Sequence, residues 1–214
     1  MVVDALGKRS PVGGWVNRPA PESRECGVAY YSRYYRVRAG CSLPDGPWGL
    51  GPRGDLGYLG FGTFPGDNGT FATLLSVPSG RPEWKALRAV PAFEAAVAQI
   101  PMARIWADPE LAEPLTGVQP MAGLRNSLQV GPESPGVFTV GDALSHTDPT
   151  LAHGLVFGLI HAHALTVALR EHPEVTDAQA AFTAATGPAQ RERYELASAM
   201  GEQRRRMWVG EGVD

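Results

Sequence analysis

The chain has 214 residues, enough for one domain with a sizeable core, or one domain and a small second. Hydrophobic residues make up 43% and charged residues 19%, which speaks against a disordered or fibrous chain. The net charge of -3 speaks against a nucleic-acid-binding protein, whose footprint is basic, but leaves room for a local site for a small anion.

Taken in order, Met1–Ala5 reads as the tail of a buried strand, broken by Gly7, Pro11, Gly13 and Gly14. Residues 15–25 read as loop. Gly27–Arg38 is rich in Tyr and Val and predicts a strand. Residues 40–54 are dense in Gly and Pro and read as loop. Leu56–Phe64 and Thr70–Val77 predict two strands. The Gly66-Asp67-Asn68-Gly69 segment between them signals a hairpin. Pro82 opens a helical pattern that runs to Leu87 and resumes over Ala92–Gln99. A short helix is expected over Asp108–Ala112, and strand over Leu115–Val130. Gly136–Val140 is a short apolar run of the buried, parallel kind. A loop over Gly141–Asp148 leads into a long helix from Pro149 to Arg170. A last helical region covers Asp177–Trp208, interrupted at Gly187-Pro188. This order predicts an α+β fold with α/β character at both ends.

Gly and Pro number 26 and 19, about a fifth of the chain, below the ~25–30% that signals disorder, so many turns and long loops are expected. Cys26 and Cys41 fit no metal spacing and are too few for a disulfide scaffold. The first residues lack the basic-then-apolar pattern of a secretion signal, so the Asn68-Gly69-Thr70 sequon carries no weight and a cytoplasmic location is expected. The longest apolar stretch, Gly154–Leu169, is interrupted by His161, His163 and Thr166. It falls short of the ~20 residues of a membrane span and reads as a buried helix.

The strongest motif is Gly136-Val-Phe-Thr-Val-Gly141-Asp142-Ala143, followed by Pro149, Gly154 and a helix. A short strand would deliver Gly141 and Asp142 at its carboxyl end, where open α/β sheets bind ligands. Gly141 permits close backbone approach, and Asp142 can accept hydrogen bonds from sugar-like hydroxyls. A helix start nearby adds free N–H groups. The plain reading is a capped turn before an ordinary helix. A second motif, Val3-Asp4-Ala5-Leu6-Gly7-Lys8-Arg9-Ser10, ends a strand in Asp and turns at Gly7. Tyr31, Arg33 and Tyr35 alternate along one strand and share a face. That face could meet a substrate, or Arg33 could bridge to a carboxylate while the rings pack. His153 and His161 lie roughly on one helix face without a third ligand, and read as core or boundary histidines.

Together these segments resemble the C-terminal part of FAD-dependent oxidoreductases of the aromatic-hydroxylase and geranylgeranyl-reductase-like group. The Asp4–Ser10 segment resembles that group's Asp-Gly segment, with Ala5 in place of the commoner Gly. The Gly141-Asp142 segment resembles the Gly-Asp motif that follows it, and Gly27–Arg36 a strand of the substrate-side sheet. The resemblance implies FAD as cofactor, with Asp4, Gly7, Gly141, Asp142, Pro149 and Gly154 near it, and Tyr31, Arg33 and Tyr35 on the substrate side. It implies NADPH or NADH as reductant and an apolar or aromatic small molecule as substrate, hydroxylated, epoxidised or reduced. Residues 1–25 and 131–175 would be the residual FAD-binding portion, 26–130 the antiparallel substrate portion, and 176–214 a C-terminal helical region. The family's opening strand, Gly-x-Gly-x-x-Gly and helix are not at the start of this sequence. The match at Gly49-Leu-Gly51-Pro52-Arg-Gly54 follows no strand, carries Pro52 and leads into no helical pattern, so it reads as chance. A second expectation is therefore a non-catalytic fragment, or a subunit completed by a separate N-terminal flavoprotein half. A third is an unrelated α+β binding domain in which Gly141-Asp142 is only a turn.

Overall fold

The computed structural model describes residues 1–43, 51–131 and 133–211. In chain order the strands are β1 (Val2–Asp4), β2 (Glu22–Glu25), β3 (Val28–Val37), β4 (Arg53–Asp55), β5 (Gly60–Pro65), β6 (Thr70–Pro78), β7 (Ala112–Pro114), β8 (Gln119–Met121), β9 (Arg125–Leu128), β10 (Val137–Thr139) and β11 (Ser145–His146). The α-helices are α1 (Val12–Trp15), α2 (Val90–Ala98), α3 (Pro101–Arg104), α4 (Gly154–Glu171) and α5 (Val175–Trp208). The architecture is α+β, as the sequence predicts. The chain divides into two compact units: Met1–Cys26 with Arg125–Glu202, and Gly27–Leu124 with Gln203–Asp214. No helix among the described residues is long and apolar enough to cross a membrane.

The second unit is built on an antiparallel sheet in the order β4-β5-β6-β3, with β7 and β8 sharing the far edge of β3. Alternation places Ala29, Tyr31, Arg33 and Tyr35 on one buried face of β3. Ala29 and Tyr31 pack with Leu75, Val77, Phe93 and Val97. Tyr35 stacks on Phe71, ring centroids 5.3 Å apart, and Trp106 meets Phe71 edge-on. The β5–β6 hairpin turns through Asn68 and Gly69 at φ 55° and 67°, the left-handed region that Asn and Gly tolerate.

The first unit holds a parallel pair, β1 and β10, and an antiparallel sheet in the order β11-β9-β2. Phe138 of β10 is fully buried against Phe182, Ala178 and Ala168 of the two long helices. Asp4 is buried, but Val2 and Val3 are 54% and 43% exposed, unlike the buried strand the sequence predicts.

Several elements differ from expectation. Residues 15–25 are not all loop: α1 ends at Trp15, and β2 forms by pairing with β9. The expected helix at 108–112 is absent, and Ala112 starts β7 on the edge of β3. The strand expected over 115–130 is two strands, β8 and β9, one in each unit. The long helix starts at Gly154, not Pro149. Asp148 caps a separate 3-10 turn over Pro149–Leu151, and Ala152 at φ 52° redirects the chain before α4. Helix α5 runs on through Pro188. Gly187 has no Cβ to clash with the proline ring, and Pro188 is exposed, so the carbonyl it frees can reach water. In the glycine match, Gly49 lies outside the described residues, and Gly54 sits in strand β4 rather than at a helix start.

Candidate functional site

Strands β1 and β10 run parallel, with Val3 beside Phe138 and Asp4 beside Thr139. Their carboxyl ends therefore open on one side. Val140 N–H donates to the Asp4 carbonyl at 3.0 Å and joins the two ends. A cleft of about 330 Å³ lies there, lined by Asp4, Gly7, Lys8, Ser10, Arg18 and Asp142 among others. Three of the sequence-predicted residues thus meet in one cleft, contributed by segments more than 130 residues apart in the chain. Gly141 sits beside Asp142, and Asp142 Oδ1 lies 3.8 Å from where a Cβ on Gly154 would stand. Pro149 lies outside the cleft lining and opens the turn before α4.

The two aspartates differ in their surroundings. Asp4 is buried, and its carboxylate accepts from Leu6 N–H at 3.2 Å and from Ser10 Oγ at 2.8 Å. It fastens the turn through Gly7. The Asp142 side chain is 42% exposed, and its Oδ2 meets His146 Nδ1 at 3.1 Å.

The segment carrying Asp142 is tied at many points. Gly141 has φ 59°, a left-handed conformation that favours glycine, and its N–H donates to His161 Nδ1 at 2.8 Å. Arg193 Nη2 donates to Thr147 Oγ1 at 2.8 Å. Asp148 N–H donates to Asn126 Oδ1 at 2.7 Å, and Asp148 Oδ1 accepts from Thr150 N–H at 2.9 Å. Such over-determination holds a turn that carries a left-handed residue.

The charges respond to burial. His161 is pushed down to about 4 by burial, with the Arg193 charge adding to it. Arg193 is lowered by burial, against the attraction of Asp142. Burial raises Glu133, against its hydrogen bond with Gln179 and the pull of Arg18. Arg18 gives Nη1 to Thr139 Oγ1 at 2.6 Å, while its Nε and Nη2 are buried and meet no partner among the described residues.

Tyr31, Arg33 and Tyr35 do share a face, and it is the packed face of the second unit. Arg33 pairs with Glu94, donates Nε–H to the Thr116 carbonyl at 2.8 Å and lies over the Tyr35 ring. On the opposite face, Tyr34 and Phe64 align across Ala72 and are 47% and 45% exposed. No group of histidine, cysteine, aspartate and glutamate among the described residues could hold a metal ion. Sequence reasoning did not single out Arg18, His161, Gln190 or Arg193 as site residues. Arg18 sits in a stretch read as loop, and the others gain meaning only from partners on distant elements.

No protein-family model and no curated protein sequence matches the chain. Solved structures share the fold at low identity. The chain is similar to PqsL of Pseudomonas aeruginosa, solved in complex with 2-aminobenzoylacetate, at TM-score 0.75 and 16% identity over 99% of this chain and 58% of that one. It is similar to CmlS, a flavin-dependent halogenase, at TM-score 0.70 and 16% identity over 100% of this chain and 40% of that one. It is also similar to HpxO of Klebsiella pneumoniae, complexed with FAD and uric acid, at TM-score 0.60 and 16% identity over 100% of this chain and 52% of that one. The fold is therefore one found in flavin-dependent enzymes, and the chain spans about half the length of these structures.

Proposed function

We propose that this chain is the flavin-contacting part of an FAD-dependent oxidoreductase acting on an apolar or aromatic small molecule. The observation that carries the reading is the cleft at the carboxyl ends of β1 and β10, where Asp142 faces out beside Lys8 and Arg18. Its volume of about 330 Å³ suits part of a dinucleotide, given the ~300–1,000 Å³ of ligand clefts. FAD is rich in hydroxyls and carries phosphate charge. The unpartnered Nε and Nη2 of Arg18 match an acceptor-rich ligand of that kind.

Asp142 would accept hydrogen bonds from the ligand's hydroxyls. Lys8 and Arg18 would balance its negative charge. Asp4 would act indirectly, by holding the turn through Gly7. Gly141 would keep the turn in its left-handed conformation, and Gly154 would leave the start of α4 open beside the Asp142 carboxylate. Pro149 would set the turn that leads to α4. Bound flavin, reduced by NADPH or NADH, supplies the redox chemistry. Tyr31, Arg33 and Tyr35 would support the sheet from its packed face. Substrate would then meet the opposite face, where the exposed Tyr34 and Phe64 offer apolar, aromatic contact.

A second reading has its own observation. A two-stranded parallel sheet with Val2 and Val3 exposed is unusual, because parallel sheets are covered on both faces. A subunit completed by a separate ADP-binding half would cover them. One experiment separates the readings: the visible spectrum of the purified chain after incubation with excess FAD, read across a gel-filtration peak. Flavin absorbance on a monodisperse peak, weakened by Asp142→Ala, supports unaided FAD binding. Aggregated protein without flavin favours the incomplete subunit. A stable monomer without flavin counts against the flavin reading.

A further inference from the structure

His161 is completely buried in α4, edge-on to Phe157 and Phe182 with ring centroids 6.3 Å away in each case. Both ring nitrogens are engaged. Nδ1 lies 2.8 Å from the Gly141 nitrogen, and a backbone N–H can only donate, so Nδ1 accepts. A neutral ring that accepts at Nδ1 carries its proton on Nε2. That nitrogen faces the side-chain amide of Gln190 from α5. The amide oxygen is the only acceptor Gln190 offers there. With Oε1 turned to the ring, the buried oxygen finds its donor as well.

We infer that His161 is a positioning residue for the flavin site: its neutral ring, accepting the Gly141 N–H, holds the Gly141–Asp142 turn in the conformation that receives flavin. This rests on the flavin reading above. The left-handed backbone at Gly141 has no side chain to fix it; its carbonyl accepts Leu144 N–H at 3.0 Å, and its N–H is tied to the His161 ring next to Asp142. A protonated ring has no lone pair at Nδ1 and would release that N–H. The charged group acting on the ring is Arg193 of α5, and it opposes protonation. On the turn side, Asp142 and His146 pair with each other beyond Gly141.

The test compares two variants of the full chain, followed by amide hydrogen exchange at Gly141 and by FAD titration. His161→Leu removes the acceptor and should leave Gly141 unprotected, with FAD affinity reduced about tenfold or more, while Phe138 of β10 stays protected. His161→Asn returns an acceptor oxygen near the Nδ1 position. It should restore Gly141 protection and bring FAD affinity to within about threefold of wild type. Wild-type affinity in His161→Leu, with Gly141 unprotected, would overturn the proposal. So would equal losses in both variants. If wild type is a stable monomer that binds no FAD, the flavin reading falls, and this proposal with it. The wild-type chain gives a further measurement that needs no variant to fold. The Gly141 amide shift and FAD affinity should follow one titration as the pH is lowered, and an affinity that stays flat while the shift moves would also overturn the proposal.

Discussion

The side chain of Gln179 reaches from α5 to the Val137 carbonyl, donating Nε2–H at 2.7 Å, so a helix residue fixes the first residue of β10. The same nitrogen donates to the Ser134 carbonyl at 3.0 Å, and Oε1 accepts Gly136 N–H at 3.2 Å. Three backbone groups at the entry to the parallel pair thus bond to one buried amide, and the Ser134 carbonyl also accepts Val137 N–H at 3.0 Å. Gln179→Met keeps much of the volume and removes all three partners. It should destabilise the chain by about 2–4 kcal/mol, because the Val137 carbonyl and the Gly136 N–H lose the amide and each carries a desolvation cost. The midpoint of urea unfolding checks this. A shift no larger than that of an exposed control would mean that water replaces the amide without loss.

Ala152 holds φ 52° between the Pro149–Leu151 turn and α4. A residue with a Cβ costs roughly 1–2 kcal/mol in that conformation, and glycine avoids it. Glycine adds unfolded-state freedom worth roughly 0.4–1 kcal/mol, so Ala152→Gly should stabilise by about 0.5–1 kcal/mol. Thermal unfolding of the variant should move upward. A downward shift would mean that the segment relaxes out of the left-handed conformation.

Where the sequence could be read, the signal was local. The Tyr and Val run of β3, the Asn68-Gly69 turn and the apolar run of β10 each carry their own chemistry, and each formed as expected. Asp4, Gly7 and Asp142 were legible because strand ends followed by Gly or Asp are short-range features, and parallel pairing then brought them to one cleft. Strand β2, Glu-Ser-Arg-Glu, was not legible. It has no apolar alternation, and its partner β9 lies about a hundred residues away. Pro149 fits a helix entry equally well, so the sequence places the start of α4 too early, and only the backbone at Ala152 shows that the chain turns again. Arg33 allowed two readings, and a partner on α2, Glu94, decides how its charge is met. His161 read as a core histidine, and it is one. That its ring ties the turn could not be read from one helix, because Gly141 and Gln190 come from two other segments.

The burial of His161 also makes fold stability depend on pH in a defined direction. Its ordinary value is 6.5, and burial first, then the Arg193 charge, brings it to about 4 in the folded chain. A depressed value means that the folded state favours the neutral ring, while the unfolded chain takes up a proton near 6.5. The stabilisation is therefore present in full above pH 6.5, shrinks as the pH falls, and is gone once it drops through 4. Its size is on the order of 3 kcal/mol, from the fall from 6.5 to about 4 with each tenfold change in proton affinity worth about 1.36 kcal/mol. Carboxylates titrate in part of the same window, so the useful quantity is a difference between two chains. His161→Asn keeps an acceptor for Gly141 and cannot take up this proton. Urea unfolding of both chains between pH 7 and 4 should show wild type losing more stability than the variant, by on the order of 3 kcal/mol. Parallel curves would mean that the folded chain binds the proton at His161 as readily as the unfolded chain does. The ring would then be protonated near pH 6, and its tie to Gly141 would fail well above pH 4.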